Sequence, residues 1–420
     1  MFSYSKSSFL LSMNIIIICI GNELLSGKTI NTNASWLGKT LTSIGCNVNR
    51  QIVIPDENTN IKTTLDDFIK NNPDEACLIV TGGLGPTADD VTRKSLFDFF
   101  DVEEKFDSEY WEELSSRFKK SGLDIPITNQ NQALIPSKGE IIKNPLGSAR
   151  GFKFKSGKAT IFSLPGVPSE MKAMTLASIV PWLRHRVKDN NYELTVRTTG
   201  IPESVLVEEI FNPLDKARGC KVGFYPSLFG VDIHLSSKYE EQINNLGKNI
   251  SKILGHKIFG YGADSMEQVV VKMALEKKIS ISFAESCTGG LLGHRITEVP
   301  GSSDIFKGGV VVYSNDAKIN ILGVDRRIID EHGAVSQMTA KIMAERVKEF
   351  FSSDYGISVT GIAGPDGGTD DKPVGLVYVA FANDNKTSVK KFNFNYDRAN
   401  NKLKTSQEVL NLIRLEIMNV

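Results

Sequence analysis

The sequence predicts an α/β protein of three units, and three observations predict it. Short β-branched runs alternate with amphipathic stretches, the glycine clusters fall where those runs end, and residues 179–262 follow a different order of elements from their flanks. The expected units span residues 13–178, 179–262 and 263–420, in keeping with a length of 420 residues. The first reads as a doubly wound α/β domain, the second as α+β and the third as α/β again.

The first strand is expected in NIIIICI, where Ile15 to Ile20 form the continuous apolar run of a strand covered on both faces. A helix through NASWLGKTLTSIG, the strand NVNRQIVI, a helix through TTLDDFIKN and the strand CLIVTGG complete a βαβαβ order, which implies right-handed crossovers and a parallel sheet. GNELLSG and TGGLGPTADD then lie at the carboxyl ends of their strands and face one crevice, the usual ligand position in such sheets. Thr160 to Leu164 supply a further strand before a Pro/Gly turn and a helix. The opening MFSYSKSSFLLSMNIIIICIG starts as a signal peptide would, but Asn14 interrupts it, no small-residue cleavage site follows, and the run falls short of the ~20 apolar residues that span a bilayer. Met13 is accordingly read as the true start.

The middle segment runs strand YELTVRTTG, helix ESVLVEEIFNPLDKA, strands KVGFYP and GVDIHLSS, helix EEQINNLGKNISKIL and strand HKIFGYG, a split βαβ sandwich. It contains neither a G-x-x-G clamp nor the aromatic series of an RNA reader, so a connector or dimerisation module is expected rather than a nucleic-acid binder. The third unit starts with helix SMEQVVVKMALEKK and strand ISISFA. It continues through the loop ESCTGG, helix LLGHRITEV, the buried-type strand GGVVVYS, a helix after VSQ, strand YGISVTG, the loop IAGPDGGTDDKP, strands GLVYVAFA and VKKFNFN, and a last helix from KLKTSQ.

Forty-nine Lys+Arg balance 49 Asp+Glu, which leaves no cationic surplus for a dedicated nucleic-acid binder. The five cysteines form no C-x-x-C pair and the five histidines no cluster, which favours the cytoplasm and gives a zinc site no support.

Chemistry concentrates in glycine-rich corners. Ser286, Cys287 and Thr288 place three potential nucleophiles where a strand turns into a helix, and the backbone amides of Thr288, Gly289 and Gly290 are candidates for holding a phosphate or an oxyanion. No histidine is in place to activate them, so the natural base is an amine, Lys318 in YSNDAK, against the plainer reading of a solvated lysine. A lysine base must be neutral near pH 7, which calls for burial or a neighbouring cation. Four glycines and a proline within residues 360–369 impose either a close backbone approach to a ligand or a flexible surface turn. In the first unit, TGGLGPTADD joins glycine amides that can cradle an anion to Asp89 and Asp90, which can hold a hard cation or cap the following helix.

ESCTGG (285–290), PGSS (300–303), YSN-x-x-K (313–318), HGAVS (332–336), TGIAGPDGGT (360–369) and KPVG (372–375) together resemble the nicotinamide mononucleotide deamidase domain at the C-terminus of the CinA (competence/damage-inducible protein A) family. GNELLSG-x-x-x-N-T-N (21–33), TGGLGPTADD, NQNQA (129–133), GSARG (147–151) and LPGVPSEM (164–171) resemble the family's N-terminal domain of molybdopterin-binding fold, and the middle segment its KH-like domain. The resemblance implies hydrolysis of the carboxamide of nicotinamide mononucleotide to the nicotinic acid nucleotide and ammonia, in pyridine nucleotide salvage. It assigns Ser286 as nucleophile, with Cys287 the rival, Lys318 as general base and Tyr313 as an aid to proton transfer. Gly289 and Gly290 become oxyanion donors, and Thr288, Asn315, Gly361, Ala363, Gly364 and Arg398 substrate contacts, with the phosphate meeting the glycine loop at 361–368 and Arg398. No cofactor is implied for the amidase.

For the first domain the resemblance implies a metal-dependent ADP-ribose pyrophosphatase, with a divalent ion at Asp89 and Asp90, the latter aligned with the functional aspartate of related molybdopterin enzymes, and Gly82, Gly83, Gly85, Glu23 and Asn33 around the ligand. The alternatives are a nucleotide- or pterin-sensing first domain that regulates the amidase, and a non-catalytic scaffold related to competence. A homodimer with small nucleotides as ligands is expected, without nucleic acid or membrane partners. Two positions depart from the family pattern: Arg150 stands where it has proline, adding a cation for phosphate or marking drift, and Tyr396 where F-x-G-x-R has glycine, which puts the backbone before Arg398 in question.

Overall fold

The computed structural model describes residues 13–72, 74–87, 89–186, 192–215, 217 and 219–419, so the reading of Met13 as the start concerns residues 1–12 outside them. The chain divides between residues 191 and 192 into two compact units.

In the first unit, β1 (Asn14–Ile20) leads through the short α1 (Asn22–Leu25) and α2 (Thr32–Ser43) to β2 (Val48–Ile54), then α3 (Asn58–Asn71) and β3 (Ala76–Thr81). α4 (Thr92–Phe99), the small β4 (Glu104–Phe106), α5 (Ser108–Lys120) and a 3-10 turn over Ile127–Ala133 follow, then β5 (Leu134–Pro136) and β6 (Glu140–Ile142). The hairpin of β7 (Gly151–Ser156) and β8 (Ala159–Leu164) precedes α6 (Pro168–Met174), a π-turn over Thr175–Ile179, and α7 (Val180–Arg184). The main sheet has the order β2-β1-β3-β8-β7-β6, in which the first four strands run parallel and the last two antiparallel. β1 lies between β2 and β3, with Ile18 opposite Ile52 on one side and Val80 on the other. Its alternate residues serve two cores: Ile16, Ile18 and Ile20 pack beneath α3 and α4, and Ile15, Ile17 and Cys19 beneath α2 and α6.

The boundary expected at 178 falls inside the helical stretch 168–184, whose Ile179 and Leu183 are fully buried in the second of these cores. Pro181 has no N–H to give to a residue four positions back, and the π-turn just before it accommodates that break without ending the helix.

Arg150 directs its Nη1 to Asp107 Oδ2 at 2.6 Å, with side chains 6% and 24% exposed, and lies over the Tyr110 ring at 4.0 Å. Its cation is thus engaged inside the fold. The Arg150 hydrogen bond holds the Asp107 carboxyl below its ordinary range, helped by the Tyr110 amide. A carboxyl lowered on folding contributes stability above its unfolded pKa, and loses it as pH falls through the lowered folded value. Arg150→Met is therefore expected to cost about 2–4 kcal/mol near pH 7 in urea unfolding, and to show a smaller loss of stability than wild type on acidification below about pH 4.

The second unit begins with β9 (Tyr192–Thr198), α8 (Glu203–Glu209), α9 (Phe211–Asp215), β10 (Lys221–Ser227), β11 (Gly230–Ser237), α10 (Glu240–Leu254) and β12 (Ile258–Tyr261). These strands form an antiparallel sheet in the order β10-β11-β9-β12, with Val196, Ile233 and Leu235 packed on Leu206, Ile243, Leu246 and Ile250. The rest comprises α11 (Met266–Lys277), β13 (Ile281–Glu285), α12 (Leu291–Thr297), β14 (Phe306–Val311), α13 (Asn315–Leu322), α14 (Arg326–His332), α15 (Gln337–Phe351), β15 (Tyr355–Gly361), β16 (Leu376–Ala382), β17 (Thr387–Asn393) and α16 (Arg398–Met418). Its sheet has the order β14-β13-β15-β16-β17, with α11, α12 and α16 packed on one face and α15 on the other.

β14, expected to be buried, is an edge strand with alternating exposure: it closes one side of the sheet, and Lys307, Gly309 and Val311 face outward. The segments expected as separate second and third units form one compact body. Phe259 of β12 enters the core of the second sheet, and the buried Arg414 of α16 donates to the carbonyls of His256 at 2.6 Å and Ile258 at 3.2 Å.

Candidate functional site

The corner after β13 is shaped by a carboxylate and two glycines. Ser286 continues the strand by one bond, its N–H donating to Val359 O at 2.9 Å, and the chain then turns through Gly289 (φ 63) and Gly290 (φ 93), conformations that side chains with a Cβ rarely adopt. Glu285, 3% exposed, folds back over the start of α12 and accepts the amides of Gly290 at 3.0 Å, Leu292 at 3.1 Å and Gly293 at 2.9 Å. This changes the expected anion site. The Gly290 amide belongs to Glu285 and that of Gly289 to Ser286 O at 3.1 Å, so neither is available as an oxyanion or phosphate donor. The two amides that directly follow the serine, those of Cys287 and Thr288, have no backbone or carboxylate acceptor among the described residues. Thr288 itself is fully buried, with its hydroxyl unpartnered.

Lys318 comes from the first turn of α13, which Ser314 caps by accepting the Ala317 amide at 3.0 Å. Its side chain is 1% exposed, and no carboxylate faces it among the described residues. Nζ donates to Val312 O at 2.8 Å and Tyr313 O at 3.2 Å, and lies 3.0 Å from Ser286 Oγ. With two positions of the tetrahedral nitrogen committed to carbonyls, the one facing Ser286 is where a neutral amine carries its lone pair. Burial lowers the Lys318 pKa from its ordinary value, outweighing the opposite pull of Cys287. Burial also pushes the Cys287 thiol up to about 12, which keeps it protonated and weakly nucleophilic.

These groups line a cavity of about 140 Å³ with Tyr313, Asn315, Ala334, Val335, Thr360, Gly361, Ala363 and Arg398. The expected contacts Asn315, Gly361 and Ala363 thus reach it directly, whereas Gly364 contributes through its carbonyl, which accepts Arg398 Nη1 at 2.6 Å. Tyr313 stands at the rim with its hydroxyl accepting Arg398 Nη2 at 2.8 Å. Tyr396 lacks a positive φ, and its backbone is pinned by Asn401, which accepts its amide at 3.2 Å and donates to its carbonyl at 2.8 Å. Arg398 therefore reaches the pocket without the glycine. Ala334 and Val335, apolar walls at the entry to α15, lay within the HGAVS motif but carried no chemical signal of their own.

In the first unit the crevice gathers fewer free groups than expected. The Gly82 amide is bonded to Leu164 O at 3.0 Å, while those of Gly83 and Gly85 have no acceptor among the described residues. Asn131 and Gln132 support this loop, donating to Pro86 O at 2.9 Å and Leu84 O at 3.1 Å. Asn33 bridges to Gly166 O at 2.7 Å and Thr81 Oγ1 at 3.3 Å. Asp90 does not cap α4, whose N-cap Val91 makes no side-chain bond; it accepts the Thr87 amide at 2.9 Å and hydroxyl at 2.5 Å and so ties the loop. The Thr87 hydrogen bond keeps the Asp89 carboxyl below its ordinary value.

The residue that sequence reasoning missed is Asp56, after β2, whose pKa is raised to about 6 by burial and then by the charges of Glu23, Asp90 and Asp89. Its motif, PDEN, reads as an ordinary turn. No three His, Cys, Asp or Glu groups among the described residues converge to hold an ion by themselves. The carboxylates nonetheless fit a magnesium-type ion, which takes one or two carboxylates and completes its shell with water and phosphate. No helix among the described residues is long and apolar enough to cross a membrane.

Comparison with known proteins follows the same division. Residues 16–185 match the probable molybdopterin binding domain, 193–260 the damage-inducible protein CinA KH domain, and 263–417 the CinA C-terminal domain. The chain is 36% identical over 410 residues to a competence-damage inducible protein of Caldicellulosiruptor bescii, covering 96% of this chain and 99% of the relative. A protein of the same name from Clostridioides difficile is 36% identical over 418 residues, with 96% and 99% covered. Among solved structures, the competence/damage inducible protein CihA of Agrobacterium tumefaciens is 35% identical, with a TM-score of 0.36, over 37% of this chain and 94% of its own. Similarity that runs through all three domains in order, and over nearly the full length of its relatives, makes this chain a member of the CinA family.

Proposed function

We propose that the second unit hydrolyses the carboxamide of nicotinamide mononucleotide, releasing ammonia and the nicotinic acid nucleotide. The observation that carries this reading is the contact of Lys318 Nζ with Ser286 Oγ at 3.0 Å, made by a lysine that is 1% exposed and has no counter-charge among the described residues. A buried ammonium without a partner is costly, so the amine is held neutral and can take the serine proton.

Ser286 Oγ attacks the amide carbon while its proton passes to Lys318, and the resulting oxyanion faces the Cys287 and Thr288 amides. The intermediate collapses as Lys318 returns the proton to the departing nitrogen, giving ammonia and an acyl ester on Ser286. Water, deprotonated by Lys318, then cleaves the ester to the acid and restores the serine. The cavity of about 140 Å³ suits one pyridine ring with its carboxamide, against the apolar Ala334 and Val335, and leaves ribose and phosphate outside towards Arg398. Tyr313, bonded to Arg398 and carrying the carbonyl that Lys318 binds, would relay or orient rather than accept the first proton. Purified protein is expected to release ammonia from nicotinamide mononucleotide in a coupled assay, and no release would remove this reading.

For the first unit we propose ADP-ribose pyrophosphatase activity. Asp56 is raised by burial first and then by its acidic neighbours, and relief of that second, like-charge part favours a divalent ion, held by Asp89 and Asp90 with Asp56 and Glu23 beside them. Such an ion would neutralise pyrophosphate charge. The amides of Gly83 and Gly85 are the groups placed to receive phosphate oxygens.

A further inference from the structure

Of the helix N-termini beside the amidase pocket, those of α12 and α16 each already hold a carboxylate. Glu285 takes the amides at the start of α12, and Asp397 caps α16 by accepting the Asn400 amide at 2.9 Å and its side-chain nitrogen at 2.8 Å. Those two ends are closed to a phosphate arriving with the substrate, which leaves the side-chain cations beside the 361–368 loop to meet it.

One cation is Arg398, which spends two N–H bonds on Gly364 O and the Tyr313 hydroxyl and faces no carboxylate. The other is Lys402, four residues on and so on the same face of α16. Its Nζ lies 3.6 Å from where a Cβ on Gly289 would stand, three residues after the nucleophile, and its charge acts on the Cys287 thiol. Lys404 nearby is paired with Glu408 at 2.8 Å, whereas half-buried Lys402 has neither an ion pair nor a hydrogen bond among the described residues.

We infer that Lys402 and Arg398 together form a subsite for a phosphate monoester dianion, and that Lys402 sets the preference for a mononucleotide over its unphosphorylated riboside. The inference rests on the amidase reading for the identity of the other end of the substrate. The planar guanidinium of Arg398 is held in place by its two contacts and can offer its remaining N–H groups, and Lys402 adds a point charge from the Gly289 side.

The test compares ammonia release from nicotinamide mononucleotide and nicotinamide riboside by the full chain and its Lys402→Met and Lys402→Arg variants. In Lys402→Met the ratio of kcat/KM for mononucleotide over riboside is expected to fall about 10- to 100-fold, carried by KM, and Lys402→Arg should recover most of it. An unchanged ratio, or an equal fall with both substrates, would overturn the subsite. Calorimetric titration of Ser286→Ala with the mononucleotide, with and without Lys402→Met, gives an answer independent of turnover. Lys402-dependent binding without ammonia release by wild type would end the amidase reading and keep the subsite. Ammonia release with binding indifferent to Lys402 would end the subsite alone.

Discussion

Replacing Ser286 by alanine is expected to lower kcat for ammonia release by about 10⁴-fold or more, because its hydroxyl is the nucleophile that the Lys318 amine contacts, at 3.0 Å. Cys287→Ala should stay within about tenfold of wild type. The contrast is decisive, since the two side chains are adjacent and both could serve as nucleophiles on chemical grounds. The structure separates them by environment: Ser286 Oγ lies 3.0 Å from Lys318 Nζ, while burial pushes the Cys287 thiol to about 12. Steady-state kinetics of the two variants, with mass spectrometry of an acyl adduct trapped on wild type, would reverse the assignment if Cys287→Ala were the inactive one.

Lys318→Met should lose about 10³- to 10⁴-fold in kcat while still binding the mononucleotide. Lys318→Arg should be as inactive, since guanidinium cannot act as a base near neutral pH. The sign of the pH effect follows from burial. The ammonium form is disfavoured, so the Lys318 pKa lies below the ordinary lysine range and the active neutral amine appears as pH rises through that lowered value. In wild type kcat/KM should therefore rise with pH along a single limb placed below the titration of an exposed lysine, and fall away on acidification. A profile with its limb at the ordinary lysine position would mean that the amine is solvated and would remove Lys318 from the role of base.

The β-branched run of β1 and the Gly-Gly pair after β13 were legible because periodicity and left-handed turns leave a direct trace in residue type. The serine and the lysine were legible through their motif, although the residues alone left Lys318 open to the reading of a surface lysine. What escaped depended on folding back over a distance. Glu285 looks like any glutamate at a strand end, and only the turn through Gly289 and Gly290 brings three amides onto it, which leaves those of Cys287 and Thr288 without an acceptor among the described residues. Asp56 becomes distinctive only when Glu23, Asp89 and Asp90 are brought beside it from two other segments, α1 and the loop after β3. β14 misled because an apolar run cannot tell an edge from a centre, and the boundary at 178 misled because a proline that breaks most helices here follows a π-turn.

Arg414 has a consequence for the order in which the second unit can be made. The carbonyls of His256 and Ile258 beside β12 are completed by a guanidinium more than 150 positions further along. On the ribosome, β9 to β12 emerge before that group exists, so their last strand keeps open acceptors until α16 has been made. The sheet of β13 to β17 and the module before it are thus coupled in folding, since the backbone of one is closed by a side chain of the other.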